Sequence, residues 1–175
     1  ATYYFCKVID DNGDGETSSL TAGIIWALSQ EVDIILICAG SAIYDRYLEK
    51  IIKKAYDSGI IIIAASGKEV VKENRPLYPA SFNGVLCCSS SKNAKCLFNK
   101  DRNRLEIDID ASSIVSTFLN DSYIKASGSS MAASLVCGCA INFIADCRMR
   151  NIKINNVAEF MEKISNTFVT KNGKP

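Results

Sequence analysis

Two short, unbroken apolar runs, Asp33 to Cys38 (DIILIC) and Ile60 to Ala65 (IIIIAA), constrain this chain more than any other feature of it. A strand with one wet face alternates apolar and polar residues. A short run without polar interruption fits a strand covered on both faces, as parallel sheets require. Between the two runs, Tyr44 to Ser58 places Leu48, Ile51, Ile52 and Ala55 on one helical face, and Gly59 stands where a C′ glycine would end that helix. Upstream, Glu16 to Gln30 carries Leu20, Ile24, Ala27 and Leu28 at helical spacing, with Thr17 or Ser18 as the N-cap. Tyr3 to Ile9 alternates and is rich in aromatic and β-branched residues, which predicts a first strand. The order β, α, β, α, β, wound by right-handed crossovers, predicts an α/β fold of three layers: a mainly parallel sheet with helices on both faces.

Beyond Lys68 the pattern changes to a polar loop that reaches Pro79 and contains Pro76. Shorter strands are expected at Val85 to Ser89, Leu105 to Ile109 and Ser113 to Phe118. Ser129 to Arg148 reads as a long apolar helix of small residues. Asn156 to Ser165 reads as a last amphipathic helix with Val157, Phe160, Met161 and Ile164 inward. No internal repeat, low-complexity tract or linker divides residues 1–175, so one domain is expected.

Charge and cysteine usage narrow the function classes. Lys and Arg total 20 against 19 acidic residues, a net charge of +1 that gives no electrostatic reason to expect nucleic acid; peptide or protein partners fit better. Cys6, Cys38, Cys87, Cys88, Cys96, Cys137, Cys139 and Cys147 lie mostly inside apolar runs and read as small buried hydrophobes. There is no CxxC pair and no histidine, so zinc spacings have nothing to work with, and no metal or cofactor is expected. Disulfide frameworks belong mainly to small secreted chains, so reduced thiols and a reducing compartment such as the cytoplasm are expected. The longest uninterrupted apolar stretch, Gly59 to Ala65, is far shorter than the ~20 residues of a membrane span. The N-terminus shows no signal-peptide pattern.

The segment Gly128-Ser129-Ser130-Met131-Ala132-Ala133-Ser134 rises above fold class. A serine in the first turn of a helix lies beside unpaired backbone N–H groups and the positive end of the dipole, both of which stabilise an oxyanion. The same serines could equally serve as N-caps. Asp10-Asp11-Asn12-Gly13-Asp14-Gly15 begins like a calcium loop, but the position of the bidentate Glu is Thr21, which favours a plain turn. No G-x-G-x-x-G follows the first strand, which argues against a nucleotide-binding fold.

Context decides between capping and chemistry. Gly128 to Ser134 resembles the G-T-S-M-A-x-P-H block of the subtilase family, in which the serine before Met is the nucleophile; here that position is Ser130. ATYYFCKVID followed by GIIWALSQEVDIILICAGS resembles that family's strand, helix and substrate-binding strand. SGIIIIAASGKE is similar to S-G-V-x-V-V-A-A-A-G-N-E, LYPASFNGVLCCSS to Y-P-A-x-x-x-x-V-I-x-V-x-A, and DIDASSIVSTF to D-x-x-A-P-G-x-x-I-x-S-T. Five matches in the family's order cover about residues 1–145. The resemblance implies the C-terminal part of a subtilisin-like serine protease domain. It further implies that Cys38-Ala39-Gly40 and Ala64-Ala65-Ser66-Gly67 flank the pocket for the residue before the scissile bond, the first of them pairing with peptide backbone as an added strand. Small residues there leave the pocket open, although they could also be tight turns at strand ends. Tyr78-Pro79 matches a family position where the peptide bond is cis.

The departures are as informative. A Ser-His-Asp mechanism needs an imidazole to take the serine proton and a carboxylate to orient it, and the family's topology places both upstream of the stretch matched by Ala1 to Asp10. Lys68 occupies the position of the Asn whose amide completes the family's oxyanion hole, and loss of such a donor costs about 2.7–4 kcal/mol of transition-state stabilisation. Lys68 is either a flexible substitute donor, a lysine base for Ser130, or a solvated loop charge. Ser134 and Leu135 replace the family's Pro-His, and Asp110-Ala111-Ser112 replaces its Ala-Pro-Gly turn. The expectation is a degenerate, catalytically silent member that binds peptide or regulates. The alternative is the C-terminal part of an active endopeptidase whose Asp and His lie upstream, making a missing N-terminal segment of the same domain a partner.

Overall fold

The computed structural model describes residues 1–67, 76–92, 95–99 and 104–172. Its elements run α1 (Thr17–Ser29), β1 (Ile34–Ile37), α2 (Arg46–Asp57), β2 (Ile61–Ala65), β3 (Val85–Ser90), β4 (Lys95–Asn99), β5 (Arg104–Ile109), β6 (Ile114–Phe118), β7 (Ser122–Ala126), α3 (Ser129–Met149) and α4 (Val157–Asn172). The main sheet has the order β1-β2-β3-β5-β4, parallel except for β4, which runs antiparallel to β5 at the edge. β6 and β7 form a separate antiparallel pair.

The unbroken apolar runs act as expected. In β2 the side chains alternate between two buried faces: Ile61, Ile63 and Ala65 enter the core under α3 and α4, while Ile62 and Ala64 enter the core shared with α1 and α2. β3 repeats this, with Leu86 and Cys88 on the first side and Val85 and Cys87 on the second. Every residue of β2 is buried, as a strand covered on both faces demands.

The helix signals hold where local chemistry supports them. Asp45 caps α2 by accepting the Leu48 N–H at 2.7 Å. At the other end Gly59 adopts φ +83°, its N–H donates to the Tyr56 carbonyl at 2.9 Å, and the Ile60 N–H donates to the Ala55 carbonyl at 3.1 Å. This paired closure needs the left-handed residue that glycine supplies. The inward positions expected for the last helix, Val157, Phe160, Met161 and Ile164, are all buried. α1 departs from expectation at its start: Glu16 is the N-cap position with no side-chain capping bond, and the Ser18 hydroxyl donates to the Glu16 carboxylate at 2.9 Å. The Asp10 to Gly15 segment is a turn in which the Asp10 carboxylate accepts the N–H groups of Asn12 and Asp14, each at 2.9 Å.

Three sequence expectations are corrected. Tyr3 to Ile9 is not a strand: it pairs with no described strand and runs along α1 instead. Its alternation survives as packing, since Tyr4 meets Trp26 edge-on and a methyl placed on Gly23 would lie 2.6 Å from Val8 Cγ1 and 3.2 Å from Cys6 Sγ. The opposite row is bare, with Phe5 90% exposed. A strand exists only with a neighbour, and the outer edge of β1 has none among the described residues. Second, the cysteines are not uniformly buried: Cys87, Cys88, Cys137 and Cys147 are buried, while Cys6, Cys38 and Cys139 are exposed. Third, α3 is long and apolar enough to cross a membrane by length and composition. Scanning for uninterrupted runs overlooks this because Ser134, Gly138 and Asn142 punctuate the helix. Here α3 packs along the sheet through Ala132, Ala133, Val136 and Ala140.

Candidate active site

The residues singled out by sequence converge at the C-terminal ends of β1 and β2, the end of a parallel sheet where ligands of α/β folds gather. Cys38, Ala39 and Gly40 follow the last residue of β1; Ala64 and Ala65 end β2, with Ser66 and Gly67 immediately beyond; Ser130 lies in the first turn of α3. Lys68 falls outside the described residues.

The start of α3 is set by glycine. Gly128 is the N-cap position, at φ +124° and ψ −178°, a region essentially closed to residues with a Cβ. No side chain caps the helix, so the two serines are not caps. Ser129 is buried, and its hydroxyl accepts the Gly67 N–H at 3.1 Å, which ties the head of α3 to the end of β2. Ser130, half-buried, follows with its backbone carbonyl accepting the Cys38 thiol at 3.7 Å and the Ser134 hydroxyl at 2.9 Å. The first intrahelical bond runs from the Ala132 N–H to the Gly128 carbonyl at 3.1 Å. The preceding N–H groups therefore lie at the positive end of a 21-residue helix, beside Ser130, where a developing anion would be favoured.

Although Cys38 as a residue is exposed, desolvation around its sulfur pushes the thiol up from its ordinary range, partly offset by hydrogen bonds from Ser134 and Ser130. Burial likewise raises the Cys137 thiol, with a smaller contribution from Cys38. Both sulfurs are held in the protonated form, so neither is an activated thiolate.

Leu77 lies against both strand ends, close to Gly40 and Gly67. The backbone around it is stitched to both strand ends: the Leu77 N–H donates to Ser66 O at 2.7 Å, and Ser41 and Tyr78 exchange N–H···O bonds of 2.9 Å each. The Tyr78–Pro79 bond that follows is cis. Leu77 went unrecognised in the sequence because it sits in a polar loop, where one leucine between two prolines carries no periodicity. The neighbouring Tyr78-Pro79 was the available signal.

The subtilase family model matches residues 1–148. Among curated relatives, the minor extracellular protease Epr of Bacillus subtilis (strain 168) is 33% identical over 135 residues, which is 75% of this chain and 21% of that protein. Subtilisin DY of Bacillus licheniformis is 32% identical over 142 residues, 78% of this chain and 52% of the relative. Among solved structures, sphericase superposes with a TM-score of 0.73 at 21% identity, over 91% of this chain and 57% of that one. The prenylagaramide maturation protease PagA gives 0.72 at 22% identity, over 95% and 60%. The chain thus spans about half, or less, of the curated relatives named here.

Proposed function

The chain belongs to the subtilase family, and from that premise we propose that it is the nucleophile-bearing part of a subtilisin-like protease domain, catalytically silent by itself and retained for peptide binding or regulation. The carrying observation is Ser130 at the head of α3 in a chain of 175 residues with no histidine. A serine hydroxyl is a weak nucleophile until a positioned base takes its proton. The raised Cys38 thiol beside it is a poor proton acceptor at neutral pH, since it is already protonated. Ser130, the helix N-terminus and the residues ending β1 and β2 form the site in this reading, with Cys38 to Gly40 offering backbone to an extended peptide. Lys68, at the family's oxyanion-donor position, completes the inventory as a weak substitute.

A fluorophosphonate probe tests the proposal: at neutral pH Ser130 stays unlabelled over hours by mass spectrometry, and stoichiometric labelling there sinks it. A second reading is favoured by the unpaired segment 3–9 and by the fraction of its relatives that the chain spans. In that reading a preceding segment supplies the Asp and His, and the whole domain is an active endopeptidase. A parent gene encoding D-T/S-G and then H-G-T upstream decides for it; a parent gene without them decides against.

A further inference from the structure

The cleft between the ends of β1 and β2 has two glycine walls, Gly40 and Gly67, and one side chain lies between them. A methyl placed on Gly67 would come within 2.4 Å of Leu77 Cδ1 and 2.8 Å of its Cγ. One placed on Gly40 would lie 2.9 Å from Leu77 Cβ and 3.3 Å from its Cδ1. Leu77 therefore touches both walls, and the space that glycine leaves on either side is already taken. The side chain is not free to swing with its loop. Its N–H is bonded to Ser66, its carbonyl accepts the Ser81 N–H at 2.9 Å, and the next residue is doubly bonded to Ser41. Tyr78 is itself anchored by Phe82 and Tyr44, with ring centroids 4.8 Å and 5.6 Å away.

The same cleft borders the head of α3, because Gly67 is bonded to Ser129 and Cys38 to Ser130. We propose that Leu77 is a built-in plug of the side-chain pocket beside Ser130, restricting the peptide residue seated there to glycine or alanine. This rests on the peptide-binding reading above and adds to it the class of peptide. Specificity here comes from steric exclusion of large side chains and not from added attraction to small ones.

The test uses the protein and its Leu77→Gly and Leu77→Ala variants, with folding checked by circular dichroism and two probes read separately. p-Cresol, a free mimic of an aromatic side chain, is followed by saturation-transfer NMR. It is expected to bind Leu77→Gly and not the parent protein, because an emptied apolar cavity takes up small aromatics. Peptides ending in Ala or Phe are followed by fluorescence anisotropy. The parent is expected to favour Ala by about 10-fold or more and Leu77→Gly to reverse that order. Leu77→Ala should shift both readouts in the same direction by less, and it carries the test if the glycine variant does not fold. The proposal is overturned if p-cresol binds the parent as well as the variants, or if peptide preference is unchanged by both substitutions. Should p-cresol separate the proteins while no peptide binds any of them, the plugged pocket stands and the peptide-binding reading falls.

Discussion

Two adjacent serines at the head of α3 have opposite roles. Ser129 is consumed by structure: its buried hydroxyl holds the Gly67 N–H, and without it a buried donor loses its partner. Ser129→Ala should lower stability by about 1–3 kcal/mol, whereas Ser130→Ala, at a half-buried hydroxyl, should stay within about 0.5 kcal/mol. Urea denaturation of the two variants checks the contrast, and equal losses would contradict it. Cys38 supports a second residue-scale expectation. Its raised thiol should be alkylated by iodoacetamide with a rate–pH profile displaced above that of cysteine in a short peptide, followed at Cys38 by mass spectrometry; a profile displaced below it would reverse the assignment. At this scale the sequence was most legible where a residue type is demanded by chemistry. Ser130 stood out because a small-residue turn opens a helix, and Gly59 because only a left-handed residue closes one. Ser129 and Leu77 were illegible in their roles, since both depend on partners tens of residues away that local spacing does not encode.

Elements follow the same division. α2 was readable in its amphipathic face and terminating glycine, while its Asp45 cap went unread inside the stretch assigned to the helix; Asp45→Ala should remove about 0.5–2 kcal/mol through the lost bond to the Leu48 N–H, measured as a shift in the urea midpoint. At the start of α4, Asn156 accepts the Glu159 N–H at 2.9 Å, and the Glu159 carboxylate accepts both the backbone N–H and the side-chain amide of Asn155 at 2.8 Å. Those bonds from Asn155 hold Glu159 below the ordinary glutamate value of 4.5, with Lys163 contributing less. A carboxyl with a depressed folded-state value contributes stability above its unfolded value and loses it as pH falls through the folded one. Glu159→Gln should therefore narrow the difference in Tm between pH 7 and strongly acidic solution, and an unchanged difference would remove Glu159 from the acid response. β4 and β7 were missed and Tyr3 to Ile9 was overread for one reason: strands are defined by pairing. Alternation in 3–9 reports a two-sided environment, and α1 supplies that environment without a ladder.

At the scale of the molecule, protection should follow how many sides of each strand are covered. β2 is paired on both edges and buried on both faces, β3 likewise lies between β2 and β5, and β1 is paired on one edge only among the described residues. On β1, Leu36 is 40% exposed although Ile35 and Ile37 on the opposite face are buried, so this border of the sheet is bare in two directions. The β6–β7 pair presents Val115, Phe118, Leu119 and Tyr123 to solvent, and residues 3–9 carry no ladder bonds to any described strand. Amide hydrogen exchange reads this order directly, because opening free energy falls where buried contacts and paired backbone are few. The amides of β2 and β3 should exchange slowest, β1 faster, and those of 3–9 and of the β6–β7 pair fastest. If 3–9 exchanges as slowly as β2, that segment is paired in solution and the sheet extends beyond β1. A longer polypeptide that supplies a strand to the bare border should slow β1 and 3–9 together while leaving β2 and β3 unchanged. Coupling of that kind would place the alternation of 3–9 and the bare border of β1 in one larger sheet.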